Sequence, residues 1–358
     1  MRGFHLKLAA IVASGFAIRV LYALLVAKRA PFLGDARAFQ SLAQHLVHGN
    51  GFSLRNPGRA ALRPTAEKPP LYPLVLAAGQ AVRGGYVSQH IVDCACGAGT
   101  IAVVGVLGKR VARETVGLLA AALAAVYPVL IVTDGSLRSE SLYGLLIAVT
   151  LVAGYQASDQ PTNGRVAALG VVIGLSALVR AEALLLVPLL GIPLVRRARG
   201  TRLRVGALLC AGCIVVVVPW TVRNLLVFDR PVVISTNDAS LVEGANCHAS
   251  YSGATTGEWV PQCVHRLAGN QATEAAHQRE RGLDYAGAHF ARLPAVAAVR
   301  VLRTWGIYRP RLQWQEEAFY EGRLIGRDHD WMVENEEVPH SPRNDHDDAP
   351  SAHQRSHA

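Results

Sequence analysis

Five apolar blocks, at residues 8–27, 87–107, 115–133, 141–157 and 205–221, limit this chain more than anything else in it. Each approaches the roughly 20 residues that cross about 30 Å of hydrocarbon as a helix. Backbone inside a bilayer has no water to bond to, so such segments fold as helices whose hydrogen bonds close within the segment. The chain is 51% hydrophobic and only 17% charged, an unusual balance for a soluble protein of 358 residues. The expected fold class is all-α, a polytopic transmembrane helical bundle.

The first block follows Arg2 and Lys7, as a signal peptide would. Its apolar run is longer than a signal h-region, it contains Arg19, and Lys28-Arg29 makes a poor cleavage site. It reads as a retained first helix. Orientation follows from the loops: "GKRVARE" (108–114) and "RRARGTRLR" (196–204) are dense in Lys and Arg, whereas "DGSLRSE" (134–140) carries one Arg and two acids. The positive-inside rule then puts the N-terminus in the cytoplasm, and it gives little weight to a first loop approaching 60 residues. Residues 166–195 would reach about 45 Å as one helix and would put "RRARGTRLR" on the wrong face. Two short helices meeting outside at Arg180-Ala181-Glu182 satisfy both constraints. Seven membrane segments result, with everything after Trp220 outside.

Three regions are expected: a membrane core at 1–221 with its first outer loop at 28–86, an extracytoplasmic segment at 222–327, and a hydrophilic tail at 328–358. The tail is rich in His, Asp, Glu and Pro and is expected to be disordered. In the first outer loop, Phe39, Leu42, Ala43, Leu46 and Val47 recur at helical spacing until "HGNG" stops them, which fits an amphipathic helix on the membrane surface. "EKPPLYPLVLAAGQAV" reads as an interfacial or re-entrant helix. Residues 287–305, apolar but carrying Arg292, Arg300 and Arg303, read as a further interfacial helix. Gly170 and Gly174 mark close helix packing.

The net charge of +10 is concentrated in loops that face lipid headgroups or the first outer loop, so membrane lipids and not nucleic acid are the expected partners. Cys94, Cys96, Cys210 and Cys213 lie in membrane helices and read as small packing residues. Cys247 and Cys263 fall outside, where disulfides persist, and are expected to be bridged.

Asp35 lies just past the first membrane segment. It reads as a helix N-cap, as a catalytic carboxylate, or as both. Asp134 and Glu140 flank the fourth segment on the same expected face, and Lys68, Arg138, Arg180 and Arg223 lie on outer loops or helix ends that can converge with them. Arg19 inside the first helix is either functional or snorkels to the outer surface. Carboxylates beside cations at a lipid surface suit one chemistry well. When a sugar hangs from a lipid phosphate, a carboxylate takes the proton from an acceptor hydroxyl while Lys and Arg stabilise the departing phosphate.

"GDARAFQSLAQHLVHGNGFS", "EKPPLYPLVLA", "YPVLIVTDGSLRSESLY", "ALVRAEALLLVPLL" and "VPWTVRNLLVFDRPVVISTN" resemble, in this order, the C-class membrane glycosyltransferases. The similarity is greatest to the bacterial branch related to protein mannosyltransferases and lipid A aminoarabinose transferases, in its actinobacterial members. The resemblance covers roughly residues 5–325. It implies transfer of a hexosyl or pentosyl group from a polyprenyl-phosphate donor to an acceptor hydroxyl outside the cytoplasm. It implies Asp35 as the catalytic base or as part of a divalent metal site, and Lys68 as a donor-phosphate contact. Asp134 and Glu140 match acidic positions around the second outer loop, as acceptor or metal-site support. Arg180 and Arg223 match positions of phosphate or headgroup contact, and Arg138 joins them. "ANCHASYSGATTGEWVPQC" is similar to a cysteine-bounded outer segment of the family, which agrees with the expected bridge. The hydrophilic continuation after "RTWGIYRPRLQWQEEAFYEGR" departs from the family's further membrane helices. A truncation near Arg323 would explain it and would make an inactive enzyme one alternative. The other is a transporter or lipid flippase, against which stand the lack of an internal repeat and the gathering of polar groups at one face.

Overall fold

The computed structural model describes residues 2–27, 34–55, 61–198, 200–267 and 270–310. The tail, the Arg323 departure and the Lys28-Arg29 dipeptide lie outside these residues.

Helices dominate. Among the described residues, four are long and apolar enough to cross a membrane: Gly3–Leu25 in α1 (Arg2–Leu25), Val87–Val111 in α4 (Gly85–Val111), α7 (Ser139–Asp159) and α10 (Arg202–Val227). The block at 115–133, expected as one straight span, is two helices, α5 (Glu114–Val126) and α6 (Pro128–Gly135), bent by 58°. Pro128 causes the break. It has no N–H to continue the helix, and it pushes Tyr127 to extended backbone at φ −68°, ψ 116°. Residues 166–195 do form two short helices, α8 (Asn163–Ala177) and α9 (Leu186–Arg197), joined through Arg180 and a 3-10 turn at Ala181–Leu185.

Leu21, Leu119, Leu123, Ile214 and Val215 are exposed on the outside of the bundle, an apolar belt that suits lipid. The interior packs around small residues. On α8, a Cβ at Gly170 would lie 2.1 Å from the Leu209 carbonyl oxygen of α10, and one at Gly212 of α10 would lie 2.3 Å from the Ala167 carbonyl oxygen. Backbone therefore meets backbone along this pair. Cys94, Cys96 and Cys213 are buried packing residues, whereas Cys210 turns outward.

The first loop is more tightly built than its sequence foretells. α2 (Gly34–Val47) buries Phe39, Leu42 and Ala43 against α3 (Leu71–Arg83), so its apolar face is covered by protein rather than left for the membrane surface. Between them runs an antiparallel pair, β1 (Ser53–Arg55) and β2 (Leu62–Pro64). Beyond α10, α11 (Asn237–Ala245) packs on α13 (Gln271–Ala288), with the one-turn α12 (His248–Tyr251) between them in sequence. Cys247 and Cys263 form a disulfide across this module. α14 (Leu293–Thr304) docks onto it through its arginines. Arg303 donates to the carbonyls of Ala254 (2.6 Å) and Thr256 (2.7 Å) and pairs with Glu258, while Arg300 reaches the Ala245 carbonyl. The expected interfacial helix at 287–305 thus spends Arg300 and Arg303 on the protein and keeps Val301, Leu302, Trp305 and Ile307 exposed.

Candidate active site

The ends of several helices meet on one side of the bundle. Asp35 sits in the first turn of α2 and Lys68 three residues before the start of α3, and Lys68 Nζ lies 2.7 Å from Asp35 Oδ1. The lysine stem is almost fully buried and its ammonium passes 5.9 Å from the Phe39 ring centroid. The carboxylate is two-thirds exposed. Glu67 Oε1 stands 3.8 Å from the same ammonium, and Asn237 at the start of α11 accepts from it at 3.4 Å. A rigid turn, Pro69-Pro70, follows, and the Leu71 N–H donates to the Leu178 carbonyl at the end of α8, which fixes the lysine to the bundle.

Arg223, near the end of α10, pins the other side of the loop. It donates to the carbonyls of Thr65 (2.9 Å) and Phe52 (3.1 Å) and lies over the Trp220 ring at 4.8 Å. The structure thus gives it a positioning contact with the segment that carries Lys68. Between this segment and α13 lies a cavity of about 190 Å³ lined by Arg63, Glu67, Phe228, Arg266 and Glu274 among others. Burial pushes the Glu274 carboxyl above its ordinary pKa.

Arg180 holds a separate surface network, 2.8 Å from Glu140 and 2.6 Å from Glu182. Burial lowers its pKa, but the hydrogen bonds and charges of Glu182 and Glu140 outweigh this and leave it above the ordinary arginine value. Glu140 is therefore joined to Arg180 and not to Asp35. Arg138 occupies the extended position just before α7, next to it.

Asp134 is not at the rim with Asp35. It is buried in α6, with Oδ2 accepting from Arg19 Nε at 2.7 Å. Arg19 also donates to the carbonyls of Gly15 (3.1 Å), Ala125 (3.0 Å) and Ala124 (3.0 Å). It does not snorkel: a fully buried guanidinium with a carboxylate and three carbonyls has its charge and donors answered inside the bundle. Gly97 of α4 makes room for the pair, since a Cβ there would come 2.1 Å from Asp134 Oδ2.

Next to this pair lies Asp93 of α4, a carboxylate not singled out above. It accepts from Tyr72 Oη at 2.9 Å and from the Leu137 N–H at 3.1 Å. An acid within the span 87–107 is the signal that marks it, because charge inside hydrocarbon is costly.

The metal allowed by the resemblance does not fit the observed donors. Asp35 is engaged by an ammonium, and among the described residues no three His, Cys, Asp or Glu side chains converge to hold an ion.

Comparison with known proteins gives one family match: residues 67–222 match the family described as dolichyl-phosphate-mannose-protein mannosyltransferase. The matched segment contains Lys68, Asp134, Arg138, Glu140 and Arg180, while Arg223 lies just past its end and Asp35 well before its start. No curated protein matches the chain. Together with the polytopic helical fold, the family match supports a membrane glycosyltransferase of the C class and of mannosyltransferase type.

Proposed function

We propose that this chain transfers a hexose from a polyprenyl-phosphate donor to an acceptor hydroxyl on the non-cytoplasmic face of the membrane, with its N-terminus in the cytoplasm. The observation that carries the reading is the Asp35–Lys68 pair, held in the segment between the candidate spans Gly3–Leu25 and Val87–Val111. An exposed carboxylate within reach of an acceptor can take a hydroxyl proton as a general base. The same ammonium is placed to meet a lipid-linked phosphate, since Lys is a compact cationic phosphate contact. In the transfer the acceptor oxygen bonds the anomeric carbon, the bond from that carbon to the phosphate oxygen breaks, and its electron pair leaves with the phosphate. Asp35 takes the acceptor's proton, and Lys68 balances the charge that builds on the phosphate.

The buried Arg19, Asp134 and Asp93 are what a transporter or flippase would carry. Each is bonded to fixed groups of the protein, which favours the enzyme reading.

The test is Asp35→Asn in proteoliposomes supplied with polyprenyl-phosphate mannose. Transfer is expected to fall at least about 100-fold, within the span of general-base contributions, with membrane insertion unchanged. Near-normal turnover removes Asp35 from the mechanism. Labelling of an Asp35→Cys variant only from the cytosolic side would overturn the assigned face.

A further inference from the structure

We infer that Asp93 is the positioning residue of this site: one buried carboxylate ties the loop that carries Asp35 and Lys68 to the corner that carries Arg138 and Glu140. The inference rests on the proposed transfer reaction for its functional consequence and on geometry alone for the link itself.

Two arms leave Asp93. Oδ1 accepts from Tyr72 Oη at 2.9 Å, and Tyr72 is fully buried in the first turn of α3, four residues after Lys68. The Tyr72 ring meets Phe39 edge-on, with centroids 4.9 Å apart and planes at 87°. Phe39 lies one helical turn from Asp35 on α2, and Lys68 Nζ passes over the same ring. A single hydrogen bond therefore fixes the aromatic pair on which both members of the rim pair rest.

On the other side, Oδ2 accepts from the Leu137 N–H at 3.1 Å. Leu137 is fully buried and has φ +55°, a left-handed conformation that a leucine adopts only under constraint. This strained residue makes the corner between α6 and α7, and Arg138 and Glu140 follow it directly. The carboxylate supplies the constraint, because without an acceptor the Leu137 N–H would be buried and unpaired. Asp134, the neighbouring acid, is paired with Arg19 and takes neither of these donors. Through Tyr72 and the Leu137 N–H, Asp93 thus links α3, α4 and the α6–α7 corner in one polar unit.

The chemistry sets which variant should substitute. Asparagine keeps an oxygen for the Leu137 N–H, and its amide can donate to the Tyr72 hydroxyl, which accepts as well as donates. Leucine can do neither.

The experiment compares wild type, Asp93→Asn, Asp93→Leu and Tyr72→Phe in nanodiscs, by hydrogen exchange and by donor KM with polyprenyl-phosphate mannose. Asp93→Leu is expected to speed exchange at least tenfold at both 71–79 and 135–142 and to raise donor KM at least tenfold, with Asp93→Asn within threefold of wild type on both. Tyr72→Phe keeps the ring on Phe39 and removes only the hydroxyl, and is expected to speed exchange at 135–142 as well. The inference is overturned if Asp93→Leu or Tyr72→Phe leaves 135–142 at wild-type protection, or if Asp93→Asn is as impaired as Asp93→Leu. Wild type that transfers no sugar defeats the functional reading alone, because the exchange comparison needs no substrate and still decides the link.

Discussion

Lys68 reaches Asp35 at 2.7 Å with its own side chain 7% exposed, while the carboxylate that it holds is 67% exposed. The asymmetry assigns the roles. The buried ammonium is preorganised and moves little, whereas the open carboxylate is the member that meets an incoming hydroxyl. Lys68→Met should then raise the donor KM about 10- to 100-fold, the worth of one hydrogen bond to a charged group. Lys68→Arg keeps the charge but places a broad planar head in a slot shaped for an ammonium, so only part of the affinity should return. Steady-state kinetics across donor concentrations reads both, and a Lys68→Met enzyme with wild-type KM would deny the lysine a phosphate contact.

Arg19 and Asp134 make a different kind of pair. Both are buried, and α4 packs closely against them at Gly97. Removing one partner strands a charge in the bundle, which costs about 3–5 kcal/mol. Arg19→Leu and Asp134→Leu should each lower the thermal unfolding temperature in nanodiscs. The double variant should lose clearly less than the sum of the two, because no unpaired charge remains. Additive losses would mean that the two groups do not depend on each other.

The bundle was legible in the sequence because the apolar blocks have membrane length and need no partner to be recognised. The break at Arg180-Ala181-Glu182 was also legible, since length and loop charge both demanded it. The bend at Tyr127 was not, because it takes a single proline inside an otherwise continuous apolar run. At the site, charge alone gathered Asp35, Lys68, Asp134 and Glu140 into one group, but burial divides them. Asp134 turns inward to Arg19 and Glu140 sideways to Arg180, and neither direction is written in residue spacing. Asp93 and Tyr72 were overlooked because one is a lone acid in a long apolar run and the other a lone tyrosine after two prolines. Their relation is tertiary, across 21 residues.

Gly170 offers a direct check of the α8–α10 contact. A methyl group there would lie 2.1 Å from the Leu209 carbonyl oxygen and 3.1 Å from the Cys213 nitrogen, both backbone atoms that cannot rotate away. Gly170→Ala should force the helices apart and cost about 1–3 kcal/mol, the usual penalty of overpacking. Gly164, with open space around its Cβ position, is the control: Gly164→Ala should be neutral or stabilising in the same unfolding assay.

The disulfide between Cys247 and Cys263 closes a 16-residue separation in the module that leans on the Lys68 segment. Closing a loop of that size restricts the unfolded chain by about 3 kcal/mol. The module touches the site through the Asn237 contact with Lys68 and through Gln271, whose side chain accepts from the Ala66 N–H at 2.8 Å. Loosening the module should therefore be felt at the rim. Alkylation of denatured protein without reductant should label four of the six cysteines, and all six after reduction. The double variant Cys247→Ser/Cys263→Ser should unfold at lower denaturant in this module while the membrane helices persist, and six labelled cysteines without reductant would show that the bridge does not form.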